Sequence, residues 1–402
     1  MSDLLLEKWD AVLNSEKVEA IQDTHKARVT AQLLENQEAS LMEAATSIDS
    51  NIATWDPVLI KMVRRLAPKL IAYDICGVQP LTMPTGLIFA LRARYTDKNG
   101  AEAMFNEVDS AHSGTGTHST GDADWSTMTF GTGIATATAE ADSTWNSMSM
   151  TIEKVTVSAK TRQLRADYSL ELQQDLKAVH GLDAESELTN ILVNEITSEL
   201  NREVVRSIYT IAKPGAQWAG ITTAGTFDLA TDSDGRYNVE KFKGLFYAIQ
   251  RDANKLALET RRGKANLVIL SADVASALAL AGQLQYAPAL DSQVKIDVDP
   301  AGVTYIGTMA NMKVYLDPYL TFDAYILGYK GSTPYDAGFF FAPYVPLQLF
   351  KAVDPTTFQP ALGFKTRFAV AESPWSHMTA GTLVANSNPY YRKTKVVGLS
   401  AI

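Results

Sequence analysis

Cysteine is nearly absent from this sequence, which excludes the sites that depend on sulfur. The single cysteine, Cys76, lies in an apolar run over 70–78. Neither an internal disulfide nor a cysteine-based metal site can therefore be proposed, and we expect a small buried residue. The five histidines are scattered, and none has a second histidine or a carboxylate at a metal-site spacing. The sequence predicts no metal and no other cofactor.

Long apolar runs and signals for export are also missing. No stretch of about 18 consecutive apolar residues is present, and the N-terminus lacks the basic region and the cleavage pattern of a secretory signal. We expect no membrane span and synthesis in the cytoplasm. The net charge of −9 argues against the basic face with which many proteins grip nucleic acid. It fits both a container for DNA and a soluble enzyme.

The motifs of common enzymes are missing as well. No phosphate loop and no Gly-x-Ser-x-Gly nucleophile elbow occur. The Gly-Thr-Gly triplets at 114–116 and 131–133 lack the strand-to-helix context of a dinucleotide site, and we interpret them as turns. The sequence therefore predicts that the protein is not an enzyme. A hydrolase that uses the acidic side chains of residues 99–153 is the alternative from another class.

Strong helix patterns are what the sequence does contain. Residues 3–43 hold good helix formers without proline or glycine and predict one helix. Nine acidic and four basic side chains give this segment a charge of −5, more than half of the net charge. Asp56 and Pro57 predict the start of a second helix, which ends before Pro68.

The longest helix is predicted to begin after Asp183, which can cap it. Apolar residues recur every four positions from Leu188 to Ile208, and Pro214 ends the run. The repeat gives one apolar stripe along a rod of about 30 residues. We interpret this helix as a structural spine.

Mixed elements follow the predicted spine. A helix is predicted over 238–262, where Gly263 stops it, and a buried strand over 266–270 leads to a helix capped by Ser271. Several short strands rich in tyrosine and phenylalanine come next. This order of elements predicts an α+β fold.

Residues 86–165 have an unusual composition. After a strand-like run, residues 99–153 contain no lysine or arginine. About half of residues 110–149 are Ser, Thr or Gly, a composition that buries too little apolar surface to fold alone, so we expect an arm that needs a partner. The return strand over 150–165 has a basic face, and its alternation slips once near Glu153. We expect this strand to pair with the acidic arm, within one subunit or between neighbours.

Two segments resemble the major capsid proteins of T-even-type phages. Residues 62–80 read MVRRLAPKLIAYDICGVQP and continue to Pro-Thr-Gly at 84–86, and residues 168–181 read YSLELQQDLKAVHG before the long helix. Shorter matches extend nearly to the C-terminus, at 327–331, 336–338, 342–345 and 358–367. The resemblance covers most of the chain.

The resemblance implies the Hong Kong 97-type capsid fold, within the α+β class. We expect a propeptide-like segment, an N-terminal arm, an extended loop, a peripheral domain with the spine helix, and an axial domain. Their expected bounds are 1–43, 44–85, 86–165, 166–237 with 345–402, and 238–344, respectively. Larger family members carry an inserted domain in the loop region, where this sequence has only the segment rich in Ser, Thr and Gly.

The resemblance also implies proteolytic processing. The family removes its N-terminal segment with a dedicated prohead protease, which cuts after Glu in a Leu/Ile-x-Glu context. Residues 40–45, SLMEAA, resemble such a site, which implies cleavage between Glu43 and Ala44 and loss of the acidic segment. This loss would relieve repulsion against incoming DNA. Residues 33–36, LLEN, are a second, weaker candidate.

Function and partners follow from the same resemblance. The expected protein assembles with itself into the icosahedral head shell of a tailed phage and encloses double-stranded DNA without sequence-specific binding. Expected partners are further copies in hexameric capsomers, with pentamers left open, and a scaffolding protein, prohead protease, portal and vertex protein. The shell of an encapsulin-like nanocompartment is the alternative within the same fold. Because residues 99–153 hold no lysine, we expect no covalent crosslink from the loop tip.

Overall fold

Helices and strands are interleaved along the chain, which confirms the α+β prediction. The structure is a computed structural model, and it describes residues 2–13, 21, 23–45, 70–103, 108–119, 128–233, 235–286, 303–331, 333, 336–353, 359–374 and 383–399. The helices are α1 Ser2–Leu13, α2 Thr24–Ala45, α3 Ala72–Ile75, α4 Thr136–Ala141, α5 Leu170–Asp175, α6 Ala184–Ile211, α7 Asn238–Thr260 and α8 Ala272–Leu280. The strands are β1 Gly77–Val78, β2 Thr85–Tyr95, β3 Met148–Ser158, β4 Lys160–Asp167, β5 Ala212–Pro214, β6 Thr226–Asp228, β7 Leu267–Leu270, β8 Gln285–Tyr286, β9 Thr304–Met309, β10 Met312–Leu316, β11 Ala324–Gly328, β12 Phe339–Val353, β13 Pro360–Glu372 and β14 Asn388–Val397.

The N-terminal segment folds as two helices, so the prediction of one helix over 3–43 is wrong. At the start of α2 the backbone N–H of His25 donates to Asp23 Oδ1 at 2.9 Å, which caps a new helix. Lys8 Nζ lies 2.8 Å from Glu35 Oε2, so α1 folds back along α2. No proline or glycine marks this reversal in the sequence, and the helix pattern therefore looked continuous.

The longest helix is α6, which confirms the predicted spine and is called the spine helix below. It has 28 residues. Its buried apolar stripe consists of Leu192, Ile196, Leu200, Val204 and Ile208. The predicted helix over 238–262 and the predicted strand over 266–270 are confirmed by α7 and β7. The helix predicted between Asp56 and Pro68 lies outside the described residues.

An eight-stranded sheet, called the axial sheet, is formed by β5 to β11 together with β14. Its strand order is β5-β14-β11-β7-β10-β9-β8, and β6 also pairs with β14. Leu245 and Ile249 of α7 and Leu278 of α8 belong to the apolar core that covers this sheet. Strand β14 pairs antiparallel with β11, so residues 388–397 lie in the axial sheet.

A four-stranded sheet, called the peripheral sheet, has the order β1-β12-β13-β4. β12 and β13 form its long antiparallel centre. The spine helix and α2 pack against this sheet, and Phe341, Phe364 and Phe368 contribute large buried side chains to the shared core. The two sheets are therefore linked through the spine helix.

β2 and β3 form a two-stranded antiparallel ribbon. The described residues between the two strands are called the tip, and the ribbon and the tip together are called the extended loop. Each strand has 11 residues, and the pairing shows no register shift. The return strand predicted over 150–165 is two strands, because β3 ends at Ser158 and β4 joins the peripheral sheet. The predicted slip near Glu153 is also wrong, because Ile152 and Val155 simply lie on opposite faces of a regular strand.

Candidate subunit interface

The base of the ribbon is fixed to the body of the subunit by apolar contacts. Ile88 of β2 and Val155 and Val157 of β3 are buried on one face of the ribbon, called the inner face. They pack in a small cluster with Phe340 of β12 and Ala369 of β13. Because successive side chains of a strand alternate between its faces, this contact decides which face of the ribbon turns outward.

Ion pairs hold the distal part of the inner face. Glu153 lies 2.8 Å from Arg92 Nε and 2.7 Å from Arg94 NH2, both on β2. Arg92 also pairs with Glu102 at 3.4 Å and donates through NH2 to the carbonyl of Pro374 at 2.7 Å. Burial raises the pKa of Glu102, and the charge of Arg92 opposes this rise. Glu102 of the acidic arm therefore pairs with β2 of the same subunit, and Glu153 of the return strand pairs with β2 as well.

The distal part of the outer face of the ribbon carries an exposed apolar row on β3, which ends at the exposed Lys154. Met148, Met150 and Ile152 of β3 are 53%, 62% and 66% exposed, and Leu87 of β2 is 43% exposed. Monomeric soluble proteins seldom leave a contiguous apolar row on a projecting element, and such surface marks an interaction site. This row was not predicted from the sequence, although its members on β3 recur at every second position, as one face of a strand requires.

The tip of the extended loop is held by polar contacts and exposes further aromatic surface. The rings of Tyr95 and His112 lie 4.6 Å apart, and Asn146 Nδ2 donates to the carbonyl of His112 at 2.6 Å. Trp145 is 87% exposed and Phe130 is 60% exposed. The tip therefore offers a neighbour large side chains that its own subunit does not bury.

The spine helix connects the two sheets through charged side chains. Arg162 of β4 donates through Nε to Glu203 Oε2 at 2.8 Å. On the other side, Arg202 and Tyr209 both donate to Asp317, which follows β10. Burial and the charge of Asp317 raise the pKa of Tyr209, so its phenol remains a hydrogen-bond donor at neutral pH. These contacts suit a helix that supports the framework of the subunit.

The predicted processing site lies at the C-terminal end of α2. Glu43 and Ala44 are in the last turn of this helix, which ends at Ala45. The weaker candidate, Glu35, lies well inside the same helix. The ion pair with Lys8, with a smaller contribution from the hydrogen bond donated by Trp9, holds the pKa of Glu35 below its usual value.

Within the described part of the chain, no group of three His, Cys, Asp or Glu side chains could hold a metal ion. Cys76 is buried, as predicted, and burial raises the pKa of its thiol to about 12, so the reactive thiolate is scarce at neutral pH. Among the described helices, none has both the length and the apolar character needed to cross a bilayer. The apolar outer face and the tip are the surfaces with the clearest capacity to bind.

Comparison with known proteins gives consistent matches over nearly the whole chain. The family described as Gp23: Major capsid protein Gp23 matches residues 52–396. A protein named "Major capsid protein" from Salmonella phage ViI is 40% identical over 438 residues, covering 99% of this chain and 99% of that protein. The protein of the same name from Enterobacteria phage T4 is 32% identical over 515 residues, covering 98% of each chain.

This chain is shorter than its relative from phage T4. The alignment with the phage T4 protein spans 515 positions, whereas this chain has 402 residues, so more than a hundred positions are filled only in the relative. Among solved structures, a chain of "The capsid of Myoviridae Phage XM1" is 10% identical with a TM-score of 0.40, covering 82% of this chain and 92% of that chain. The sequence matches, and not this distant likeness, carry the assignment.

Proposed function

The chain belongs to the Gp23 family of major capsid proteins, and on this basis we propose that it builds the icosahedral head shell of a tailed phage around double-stranded DNA. The observation that carries the proposal is the outer face of the ribbon, where Met150 and Ile152 are 62% and 66% exposed. In a closed shell each copy has neighbours on several sides. An apolar face that one subunit leaves open is then buried by the next.

Assembly repeats one set of contacts many times. The extended loop of each subunit lays its outer face on a neighbouring copy, and the base of the ribbon, fixed by Val155 and Val157, sets its direction. Contacts that are weak singly become cooperative once the lattice closes. The copies form hexameric capsomers.

A division of the chain into domains follows from its membership of this family. The proposed parts are the propeptide 1–43, the N-terminal arm 44–85, the extended loop 86–165, the peripheral domain 166–237 with 345–402, and the axial domain 238–344. The peripheral sheet and the spine helix share one apolar core, which also includes Ile269 and Ile326 of the axial sheet. Residues 388–397 belong to the proposed peripheral domain but lie in the axial sheet, because β14 pairs with β11.

The proposed partners are those a phage head requires: scaffolding protein, prohead protease, portal and vertex protein. The net charge of −9 fits a container that does not adhere to its DNA. A nanocompartment shell is not favoured, because the matching relatives are named major capsid proteins. No observation favours a hydrolase that uses the acidic residues of the loop.

Substitutions on the outer face test the assembly proposal. In phage whose own capsid gene is inactivated, plasmid-borne Met150→Asp with Ile152→Asp should abolish heads, because buried carboxylates would oppose the contact. Met150→Leu keeps the apolar surface, so a plasmid that carries this variant should yield normal heads. Both side chains are exposed, so the purified variants should unfold at the same denaturant concentration as the natural chain. Normal head yield from the aspartate variant would contradict the proposal.

Processing between Glu43 and Ala44 is the second part of the proposal. Helix ends fray more readily than helix centres, so the last turn of α2 presents a protease with an easier site than Glu35 does. Mass spectrometry of mature heads should find a subunit that begins at Ala44. A different first residue would refute this assignment, and the Glu43→Gln variant should keep the full-length chain.

A further inference from the structure

The segment assigned for removal is packed into the body of the subunit. On α2, Val29, Leu33 and Leu34 are at most 4% exposed, and Thr30 and Ala31 are 0% exposed. The four apolar residues among them belong to the same core cluster as the peripheral sheet and the spine helix. A helix that only carried charge out of the shell would not need to fill the core of the subunit.

The surface that receives α2 is a groove of apolar side chains from three parts of the chain. We define the groove by Leu70, Tyr73, Leu200, Phe341, Leu347 and Phe368. Leu33 lies against it, with a remaining cavity of about 30 Å³ between them. Leu33 is only 4% exposed, so the helix covers this part of the groove closely.

Polar contacts fix the register of the helix in the groove. Asn36 Nδ2 donates to the carbonyls of Leu81 and Tyr344, each at 2.8 Å. Gln348 Nε2 donates to Gln37 Oε1 at 3.3 Å. A shift of one residue along the helix would remove the two bonds of Asn36, so the groove recognises a particular sequence and not apolar surface alone.

The contacts of the segment lie on one side of the proposed cut. The described contacts of α2 with the body involve positions 25–37, whereas their partners begin at Leu70. Cutting the peptide bond after Glu43 therefore breaks none of them. It removes only the tether, which holds the helix at an effective concentration in the millimolar range.

We propose that residues 25–37 are a plug that the subunit binds in its own groove, and that cleavage after Glu43 leaves this plug bound without a covalent link. This inference rests on the proposed processing site. The groove opens only when the fragment dissociates. Cleavage is therefore required for exposure of the apolar surface but is not sufficient for it. Before cleavage the plug protects the subunit against premature contact through this face.

An engineered cut in the full-length chain tests the plug directly. A recognition sequence for a site-specific protease is inserted between Glu43 and Ala44, the folded chain is cut, and the product is run on a size-exclusion column at micromolar concentration. The N-terminal fragment should elute with the body. Its immediate separation from a body that stays folded would overturn the proposal.

Variants in the plug measure the strength of its contacts. Asn36→Ala should raise the dissociation constant of the fragment about tenfold, because two hydrogen bonds are lost. Leu33→Ala should raise it on the order of a hundredfold. Thr24→Ala, at an exposed position of the same helix, is the matched control and should retain the fragment. Equal retention of the Leu33→Ala and Thr24→Ala fragments would also overturn the proposal.

Folding of each variant is checked on the uncut chain, which should elute as the natural protein does and unfold in one transition. Asn36→Ala is the milder change and serves if Leu33→Ala does not fold. Because the inserted site replaces natural processing, the result is independent of where the phage protease cuts. Mature heads that begin elsewhere than at Ala44 would refute the processing site and leave the measured binding of the plug unchanged.

Discussion

Arg202 of the spine helix and Asp317 after β10 form an ion pair with an NH1–Oδ2 distance of 2.6 Å. The same Oδ2 accepts a hydrogen bond from Tyr209 at 2.5 Å, and Oδ1 accepts one from the backbone N–H of Tyr319 at 3.0 Å. The side chain of Asp317 is 0% exposed. One buried carboxylate therefore joins the spine helix to the axial sheet and satisfies three donors.

Removal of this carboxylate should destabilise the subunit strongly. We expect Asp317→Ala to lower the free energy of unfolding by about 3 kcal/mol, because Arg202 and Tyr209 lose a shared partner. Tyr209→Phe removes one hydrogen bond and should cost about 1 kcal/mol. Asp97→Ala, at an exposed position, is the control and should change little. Urea unfolding measures all three, and a loss from Asp317→Ala no larger than that of the control would contradict the prediction.

A second buried carboxylate, Asp252 of α7, should make stability depend on pH. Burial raises its pKa, and hydrogen bonds donated by Tyr325, the backbone of Ala216 and Thr394, with the nearby charge of Arg392, oppose the rise. A carboxyl group with a raised pKa binds its proton more tightly in the folded state. Its contribution is therefore complete below the ordinary value of 3.8 and is lost as the pH rises through the folded value.

The Asp252→Asn variant isolates this effect. It should cost about 1–3 kcal/mol, because an amide cannot accept all of the bonds that the carboxyl group accepts. The difference in unfolding free energy between the natural chain and the variant should shrink as the pH rises from about 4 towards neutrality. Denaturant unfolding at several pH values measures it, and a difference that grows with pH would contradict the assignment.

Elements with a strong local pattern were predictable from the sequence. The four-residue repeat from Leu188 to Ile208 predicted the spine helix, because local periodicity reports one buried stripe. The N-terminal hairpin was not predictable in this way. Its ion pair joins Lys8 and Glu35, which are 27 residues apart, and no local pattern encodes such a contact.

The candidate interface was missed for a different physical reason. Alternation in a strand shows which side chains share a face, but it does not show which face is buried. Ile152 and Val155 are both apolar residues of β3, although one is 66% exposed and the other 3% exposed. The sequence indicates that these apolar residues need a contact. Only the structure shows which of them are buried within the subunit and which remain exposed.

The composition of the loop also predicts the covalent state of the shell. Residues 99–153 contain no lysine, so an amide crosslink from the loop tip has no amine donor. Mature capsids boiled in denaturing buffer should therefore run as monomers of the processed subunit on a gel. The natural chain expressed alone provides the uncrosslinked size standard. A ladder of oligomers that resists boiling would contradict this expectation.

Acid should weaken the hold of the groove on the plug. His25, near the start of the plug, lies edge-on to the ring of Tyr73 with 6.4 Å between the ring centroids. Burial lowers the pKa of His25, the charges of Lys330 and Arg28 lower it further, and Asp23 opposes them. A base with a lowered pKa favours the folded state in its neutral form. Its contribution is complete above the ordinary value of 6.5 and is lost as the pH falls through the folded value.

The chain cut between Glu43 and Ala44 shows this effect as release of the fragment. We expect the dissociation constant to rise on acidification from about pH 7.5 to about pH 5.5, because the imidazolium ion is disfavoured beside Lys330. The His25→Asn variant cannot gain this proton and should lose most of the pH dependence while keeping the apolar contacts of Leu33. Size-exclusion chromatography at both pH values makes the comparison. Equal pH dependence in the two chains would show that groups other than His25 control the release.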